Sequence, residues 1–281
     1  MRSGISKMKK QRILLGLVLT LGLFAPTVSA DGLPFAVTPQ PMKAQLDKTA
    51  HYYDLKTHPG QVVVLKMQVK NLTQTTKTVR MIPEPARTNP LGDVVYDRTV
   101  GQAINSRLGF DKLATSTQRI KLSAGQTRHL TVKVRLPKTM GNGVIAGGLH
   151  FQEVTAQRQR SQQQMLANRY AYVLGVVLHT GPVKKVSKVN LQARTIGHQV
   201  GIAISNKANQ FVNQVKVTQT VKDAKGHVVH QAAVQGKQLA PNVTATLTLD
   251  QHTYQPGDYQ VTTRFVSKTV HQTVTNNIRV K

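Results

Sequence analysis

The chain has 281 residues, a formal charge of +27, no cysteine and no tryptophan, and its only glutamates are Glu84 and Glu153. Without cysteine, disulfide stapling and thiolate metal sites are excluded, so stability has to come from packed apolar cores. So few carboxylates leave no acidic pair for a glycoside hydrolase and no acid cluster for a calcium loop, and so few aromatics leave little for nucleobases to stack on.

The first thirty residues read as a secretory signal peptide. Arg2, Lys7, Lys9, Lys10 and Arg12 form a basic leader without an acid, and Ile13 to Phe24 is an apolar run too short for a stop-transfer helix. Pro26 breaks that run, Val28-Ser29-Ala30 offers small side chains for cleavage, and Asp31 becomes the expected mature N-terminus. The remainder carries +22, the full +27 less the five cations of the leader. The next most apolar stretch, Val173 to Leu178, has the length of a buried strand, so no transmembrane helix is expected in the mature chain. A cationic exported protein is expected to meet anionic wall polymers or acidic surfaces rather than nucleic acid.

Along the rest of the chain the apolar period is two. Leu65, Met67 and Val69 alternate with Lys66, Gln68 and Lys70; Leu130, Val132, Val134 and Leu136 alternate with Thr131, Lys133 and Arg135. The same pattern returns at Val215, Val217 and Val221, at Ala245, Leu247 and Leu249, and at Tyr259, Val261 and Phe265. Such alternation predicts half-buried antiparallel strands with Lys, Arg and Thr on the solvent side. Pro59-Gly60, Asp223-Ala224-Lys225-Gly226, Pro241-Asn242 and Pro256-Gly257-Asp258 punctuate them as turns. The continuous apolar runs Val144 to Phe151 and Tyr170 to Leu178 suit a pair at a sheet centre. The Gln- and Arg-rich segment 155–169 between them reads as either a polar helix or a long exposed loop.

Many short strands with regular turns predict an all-β protein of two tandem immunoglobulin-like β-sandwiches. The expected division is a signal peptide over 1–30, a first sandwich over 31–183 with a polar insertion at 155–169, and a second over 184–281. The break near 184 is marked by Gly181-Pro182 and by Lys184, Lys185 and Lys188. That cluster is the candidate polyanion patch, since lysines meet phosphates as mobile point charges.

No constellation signals catalysis. Gly141-Asn142-Gly143-Val144-Ile145-Ala146 fits a degenerate dinucleotide fingerprint, but a strand rather than a helix is expected to follow, and no acid lies about 20 residues on. Its glycines are better read as close backbone approach or a bulge. The ten histidines are scattered without a metal spacing. No catalytic, cofactor or metal residue is assigned.

Several short motifs occur in a specific order. Tyr53-Asp54-Leu55, Pro59-Gly60-Gln61 and Val69-Lys70-Asn71 are followed by Arg87-Thr88-Asn89-Pro90 with Gly92 and Tyr96, then by Gly143-Val144-Ile145-Ala146-Gly147-Gly148 with Phe151. Leu239-Ala240-Pro241-Asn242 and Tyr254-Gln255-Pro256-Gly257-Asp258-Tyr259 close the series. Over nearly the whole mature chain this resembles the WxL-interacting protein family. The resemblance implies a two-domain surface protein of Gram-positive bacteria, with a peptidoglycan-binding first domain and a host-binding second domain, acting beside WxL-domain wall proteins; with no catalytic constellation in the chain, its expected function is non-catalytic binding and adhesion. Pro59, Gly60, Thr88, Asn89, Gly92, Gly147, Gly148, Pro241, Asn242, Pro256 and Gly257 carry it, without assigned roles. Family members usually continue into a transmembrane helix and a short basic tail, whereas this sequence stops at Val280-Lys281. The rival expectations are a secreted binder of polyanions such as teichoic acid, and an extracytoplasmic chaperone of surface proteins.

Overall fold

A computed structural model of the chain describes residues 34–154, 171–182 and 185–281. The leader, the insertion at 155–169 and the expected division at Lys184 lie outside the described residues. Two β-sandwiches follow one another.

In the first, β1 (Phe35–Pro39), β3 (Val62–Asn71) and β8 (Thr127–Arg135) form one sheet in the order β1-β3-β8. The facing sheet runs β2-β10-β9-β4-β5, from β2 (Tyr53–Thr57), β10 (Ala171–Thr180), β9 (Gly143–Glu153), β4 (Lys77–Thr88) and β5 (Val94–Tyr96); β7 (Gln118–Leu122) also pairs with β4. The alternation seen in the sequence is the alternation of burial. Leu65, Met67, Val69, Val132 and Val134 are fully buried against Val79, Met81, Leu149, Phe151, Val176 and Leu178 of the facing sheet. Their cationic neighbours Lys66, Lys70, Lys133 and Arg135 are exposed. The two apolar runs flanking 155–169 do pair, β9 with β10, antiparallel from Gly143↔Thr180 to Gln152↔Ala171. One ladder departs from the antiparallel expectation: β2 lies parallel to β10, from Tyr53↔Val176 to Thr57↔Thr180. Between its β7 and β5 ladders, residues 82–85 of β4 are paired on the β9 flank only, and that is where Pro83 and Pro85 fall.

In the second sandwich β11 (Asn190–Ile196), β12 (Gln199–Asn206) and β15 (Val243–Thr248) face β14 (Val228–Leu239), β13 (Val212–Lys222), β16 (Gly257–Val266) and β17 (His271–Val280), the latter sheet in the order β14-β13-β16-β17. Ile202, Ile204, Val215, Val217, Leu247 and Phe265 fill its core. The Asp223–Gly226 turn closes the β13–β14 hairpin, with the Asp223 carboxylate accepting from the Lys225 and His227 amides. Side chains of β17 cap the edge of the opposite sheet: Gln272 Oε1 accepts from the Val189 amide at 2.8 Å and Asn276 Oδ1 from the Ala193 amide at 2.9 Å. Helix is confined among the described residues to a 3-10 turn at Ser106–Leu108 and a single turn, α1 (Phe110–Leu113). No helix there is long and apolar enough to cross a membrane.

Each sandwich ends one core strand on a buried asparagine. Asn71 donates from Nδ2 to the carbonyls of Thr75, Leu122 and Ser123, while its Oδ1 accepts from the Thr73 amide and hydroxyl. Asn206 repeats this, donating to the carbonyls of Gln210 and Ala240 and accepting from the Ala208 amide. Burial of an amide is tolerated there because its donors and acceptor find turn backbone that would otherwise go unpaired.

The glycine-rich segment is a strand, and its glycines are there for space. A Cβ on Gly147 would lie 2.3 Å from the Cβ and Cγ of fully buried Phe110, whereas one on Gly141 would meet nothing within 4 Å. Gly147→Ala is therefore expected to destabilise the chain by about 1–3 kcal/mol through overpacking, with Gly141→Ala near neutral. Urea unfolding of the two variants side by side checks this, and equal midpoints would refute it.

Candidate functional site

The family-type motifs at Thr88-Asn89, Gly92 and Pro241-Asn242 are far apart in sequence and meet at the seam between the sandwiches. Asn89 shapes its turn by accepting the amides of Leu91 and Asp93 on Oδ1 at 3.0 and 2.9 Å. Gly92 completes the turn at φ +79°, where a Cβ would press on Lys237 and Leu247 at 3.1–3.2 Å. The turn then reads the second sandwich through its backbone. The Gly92 carbonyl accepts from the Gln238 amide at 2.9 Å and the Pro90 carbonyl from Thr248 at 3.0 Å. The buried hydroxyl of Thr88 accepts from the Ala240 amide at 2.9 Å, and Lys237 Nζ reaches Asp93 at 3.1 Å.

Just beyond, β6 (Gln102–Ala103) adds to the edge of β15, with Ala103↔Val243 and Gln102↔Thr244. The Ile104 amide continues this ladder to the Asn242 carbonyl at 2.9 Å. Asn242 takes φ +53°, donates its amide to the Ala208 carbonyl and its Nδ2 to Asn209 Oδ1. At the start of β9 the Val144 amide donates to the Asn209 carbonyl at 2.7 Å. Ala86, Ala240 and Val243 are buried in the seam, with Val94, Tyr96, Ala146 and Phe211 packed around them. A strand of the first sandwich thus belongs to a sheet of the second, which a division of the chain at one point does not convey.

A cleft opens on the first sandwich where the β1–β2 connection folds back on itself. It measures about 750 Å³ and is walled by Pro39, Pro41, Met42, His51 and Tyr52, with Lys43 and Lys48 on its lining. The connection is pinned at both ends: the Gln40 amide donates to the Lys66 carbonyl, and the Lys56 amide to the Ala44 carbonyl, both at 2.9 Å. The Gln45 side chain ties the middle, donating to the carbonyls of Asp47 and Tyr52. Tyr53 turns into the core, where its hydroxyl donates to the Lys66 carbonyl and burial pushes its pKa up to about 12. Tyr52 points the other way and remains 42% exposed; desolvation, then the carboxylates of Asp54 and Asp47, raise its pKa.

Tyr52 also borders a glycine-floored stretch of the β9–β10 sheet. Gly148 and Gly175 are cross-strand partners, and the Tyr96 side chain lies over both. Burial raises the pKa of Tyr96. Val173, 39% exposed, lies beside Gly148. Nearby, Arg98 donates from Nε to Glu84 at 2.8 Å, and that hydrogen bond raises its pKa. Desolvation lowers the pKa of Arg87, against the attraction of Asp111 and Glu84. Among the described residues no group of three His, Asp or Glu side chains is placed to hold a metal ion.

The remaining sequence candidates are dispersed. Pro59-Gly60 forms the turn before β3, with the Gly60 amide donating to the Pro137 carbonyl. Pro256-Gly257 opens β16 beside Tyr259. Lys184 lies outside the described residues. Lys185 and Lys188 are exposed, on a segment that Val186 and Val189 anchor in the second core. The cleft has no periodic signature in the sequence because its walls come from a connection between strands. The Tyr52-Tyr53 doublet held the available signal, since two adjacent tyrosines entering a strand must face opposite sides.

The seam is directly testable. Thr88→Val removes an acceptor at constant shape and leaves the buried Ala240 amide unpaired, at a cost of about 1–3 kcal/mol. Hydrogen exchange at Ala240 is expected to accelerate in this variant and to stay slow in Thr88→Ser. Unchanged exchange in Thr88→Val would show that the seam does not depend on this bond.

Comparison with known proteins places the chain. The family model described as WxL Interacting Protein, peptidoglycan binding domain, matches residues 35–153, and the one described as WxL Interacting Protein, host binding domain, matches residues 161–281. The second match therefore includes β10, which pairs within the first sandwich. No curated protein matches significantly. Similar solved structures include the Salmonella enterica SafA pilin in complex with the SafB chaperone, at 11% identity over 88% of this chain and 96% of that chain, TM-score 0.34. Others are the E. coli chaperone DraB, at 9% identity over 89% and 98%, TM-score 0.33, and PapD-like domain 7 of human CEP192, at 10% over 64% and 100%, TM-score 0.32. At such TM-scores these likenesses carry no argument about function. The two family matches, spanning nearly all of both sandwiches, show that the chain belongs to the WxL-interacting protein family.

Proposed function

We propose that this protein is an exported, non-catalytic adaptor of the bacterial cell wall. Its first sandwich holds peptidoglycan, and its second engages protein partners, either WxL-domain wall proteins or host proteins. Both family matches are to binding domains, which supports a role in contact rather than chemistry. The basic leader followed by an apolar run and a small-residue cleavage site supports export.

The observation that carries the glycan reading is the cleft beside Tyr52. Its volume, about 750 Å³, is within the range of ligand sites. Pro39, Pro41, Met42 and the half-exposed Tyr52 ring offer apolar surface for the C–H face of a sugar. Lys43 and Lys48 offer cations for the carboxylates of stem peptides. The loop is tied by backbone and Gln45 hydrogen bonds, so little ordering entropy remains to be lost on binding.

For protein partners the β14-β13-β16-β17 sheet is the natural face. β14 is an edge strand whose first residues, Val228 and Val229, are 53% and 42% exposed. An edge can take an added strand through its backbone amides without needing a pocket. Lys185 and Lys188, exposed on the segment that leads into the second sandwich, add to the field that draws anionic surfaces.

Tyr52→Ala is expected to weaken binding to peptidoglycan stripped of its anionic polymers by roughly 5- to 30-fold, the equivalent of one or two kcal/mol, at unchanged thermal midpoint. A sedimentation assay with purified sacculi checks this. Undiminished binding of the variant would remove the cleft from consideration, and release of soluble muropeptides during incubation would refute the non-catalytic reading.

A further inference from the structure

The outer face of the β1-β3-β8 sheet carries cations and no carboxylate. The three strands contain no Asp or Glu at all. Lys66 and Lys70 on β3, with Lys133 and Arg135 on β8, are exposed between the buried apolar positions. None of the four takes part in a salt bridge among the described residues.

Their register is staggered. Lys66 is opposite Thr131, Lys70 opposite Thr127, Lys133 opposite Val64 and Arg135 opposite Val62. No two cations are directly opposed, which avoids the worst like-charge pairing, yet Lys66 and Lys133 are diagonal neighbours. Charged positions on one strand recur every two or four residues, about 7 or 14 Å apart. A face built only for solubility interleaves both signs, because uncompensated charge destabilises the compact state. Here one sign alone is displayed on a rigid sheet, with Thr127, Thr131 and Gln68 between the cations as hydrogen-bond donors.

We infer that this face is a second binding site, for a linear phosphodiester polymer of the poly(glycerol phosphate) type laid across β3 and β8. An extended chain of repeating single negative charges complements a stripe of single cations spread over a flat surface, and it needs neither a cleft nor an aromatic platform. The site goes beyond the glycan reading and shares no residue with the lining of the Tyr52 cleft.

Calorimetric titration of the full chain with synthetic poly(glycerol phosphate), at 50 and 200 mM NaCl, tests it. Four phosphate contacts at a slope near −0.7 each correspond to a loss of roughly 50-fold in affinity over that range. The variant K66Q/K70Q/K133Q/R135Q, all at exposed positions, is expected to keep its thermal midpoint, to bind at least about tenfold more weakly at 50 mM and to lose most of the salt dependence. The pair K66Q/K133Q is expected to take the slope about halfway. A control with the same charge removed from the second sandwich, K216Q/K222Q/K225Q/R264Q, is expected to bind nearly as the parent. Equal weakening in the control would reduce the effect to net charge and overturn the proposal, as would unchanged binding by the first variant or tighter binding of single-stranded DNA at the same salt. Tyr52→Ala is expected to leave this binding intact, so the two sites fail or stand separately.

Discussion

An open sheet edge must be paired, covered or charged, and in this protein that requirement ties the two halves together. The edge of β15 would present unpaired amides and carbonyls beside buried Val243 and Ala245. The first sandwich closes it with β6, and the neighbouring turn at residues 88–92 meets the amides of Gln238, Ala240 and Thr248. Backbone polar groups without a partner are costly when buried. The seam is therefore built mainly from main-chain hydrogen bonds around a small apolar centre, and the motif residues at its turns serve that geometry. Thr88 supplies an acceptor, Asn89 and Gly92 a turn, and Asn242 a left-handed corner.

The two sandwiches solve the same problems by related means. Each buries one alternating face, each ends a strand on a buried asparagine that ties turns together, and each closes an edge with something other than a full strand. In the second sandwich Gln272 and Asn276 of β17 take the amides of Val189 and Ala193. In the first, the stretch around Ala114 and Thr115 runs against β8, the Thr115 amide donating to the Lys133 carbonyl. With edges managed in this way, the outer faces are free to carry charge. Because so few acids are available, that charge is overwhelmingly positive, and among the described residues much of it has no ion-pair partner, which suits long-range attraction of anionic surfaces.

Much of the fold could be read from the residues because strands write their burial at period two. Leu65-Met67-Val69 and Leu130-Val132-Val134 name their inner faces, and the Asp223–Gly226 turn names its hairpin. The strand character of Val144 to Phe151 follows from its continuous apolar run, which also disposes of the nucleotide-loop reading of Gly141 to Ala146. The candidate site was less accessible. Tyr52, Tyr96 and Met42 have no periodic signature. The parallel approach of β2 to β10 joins residues more than a hundred positions apart, and the two-residue β6 is too short to announce itself. The shared location of Thr88, Asn89, Gly92, Pro241 and Asn242 is equally hidden, since along the chain they are scattered motif positions up to about 150 residues apart.

What the amino-acid order determined by itself is the local physics: which faces are apolar, where glycine or asparagine must turn the chain, how stability must do without disulfides, and how strongly cationic the surface is. These depend on near neighbours and on composition. Which edges meet, that a strand from one sandwich completes a sheet of the other, and that Tyr52 stands at the mouth of a cleft were decided only by tertiary packing. Such features arise between segments far apart in the chain, where the outcome depends on which pairings leave the fewest buried polar groups unmatched, and no short-range pattern records that competition.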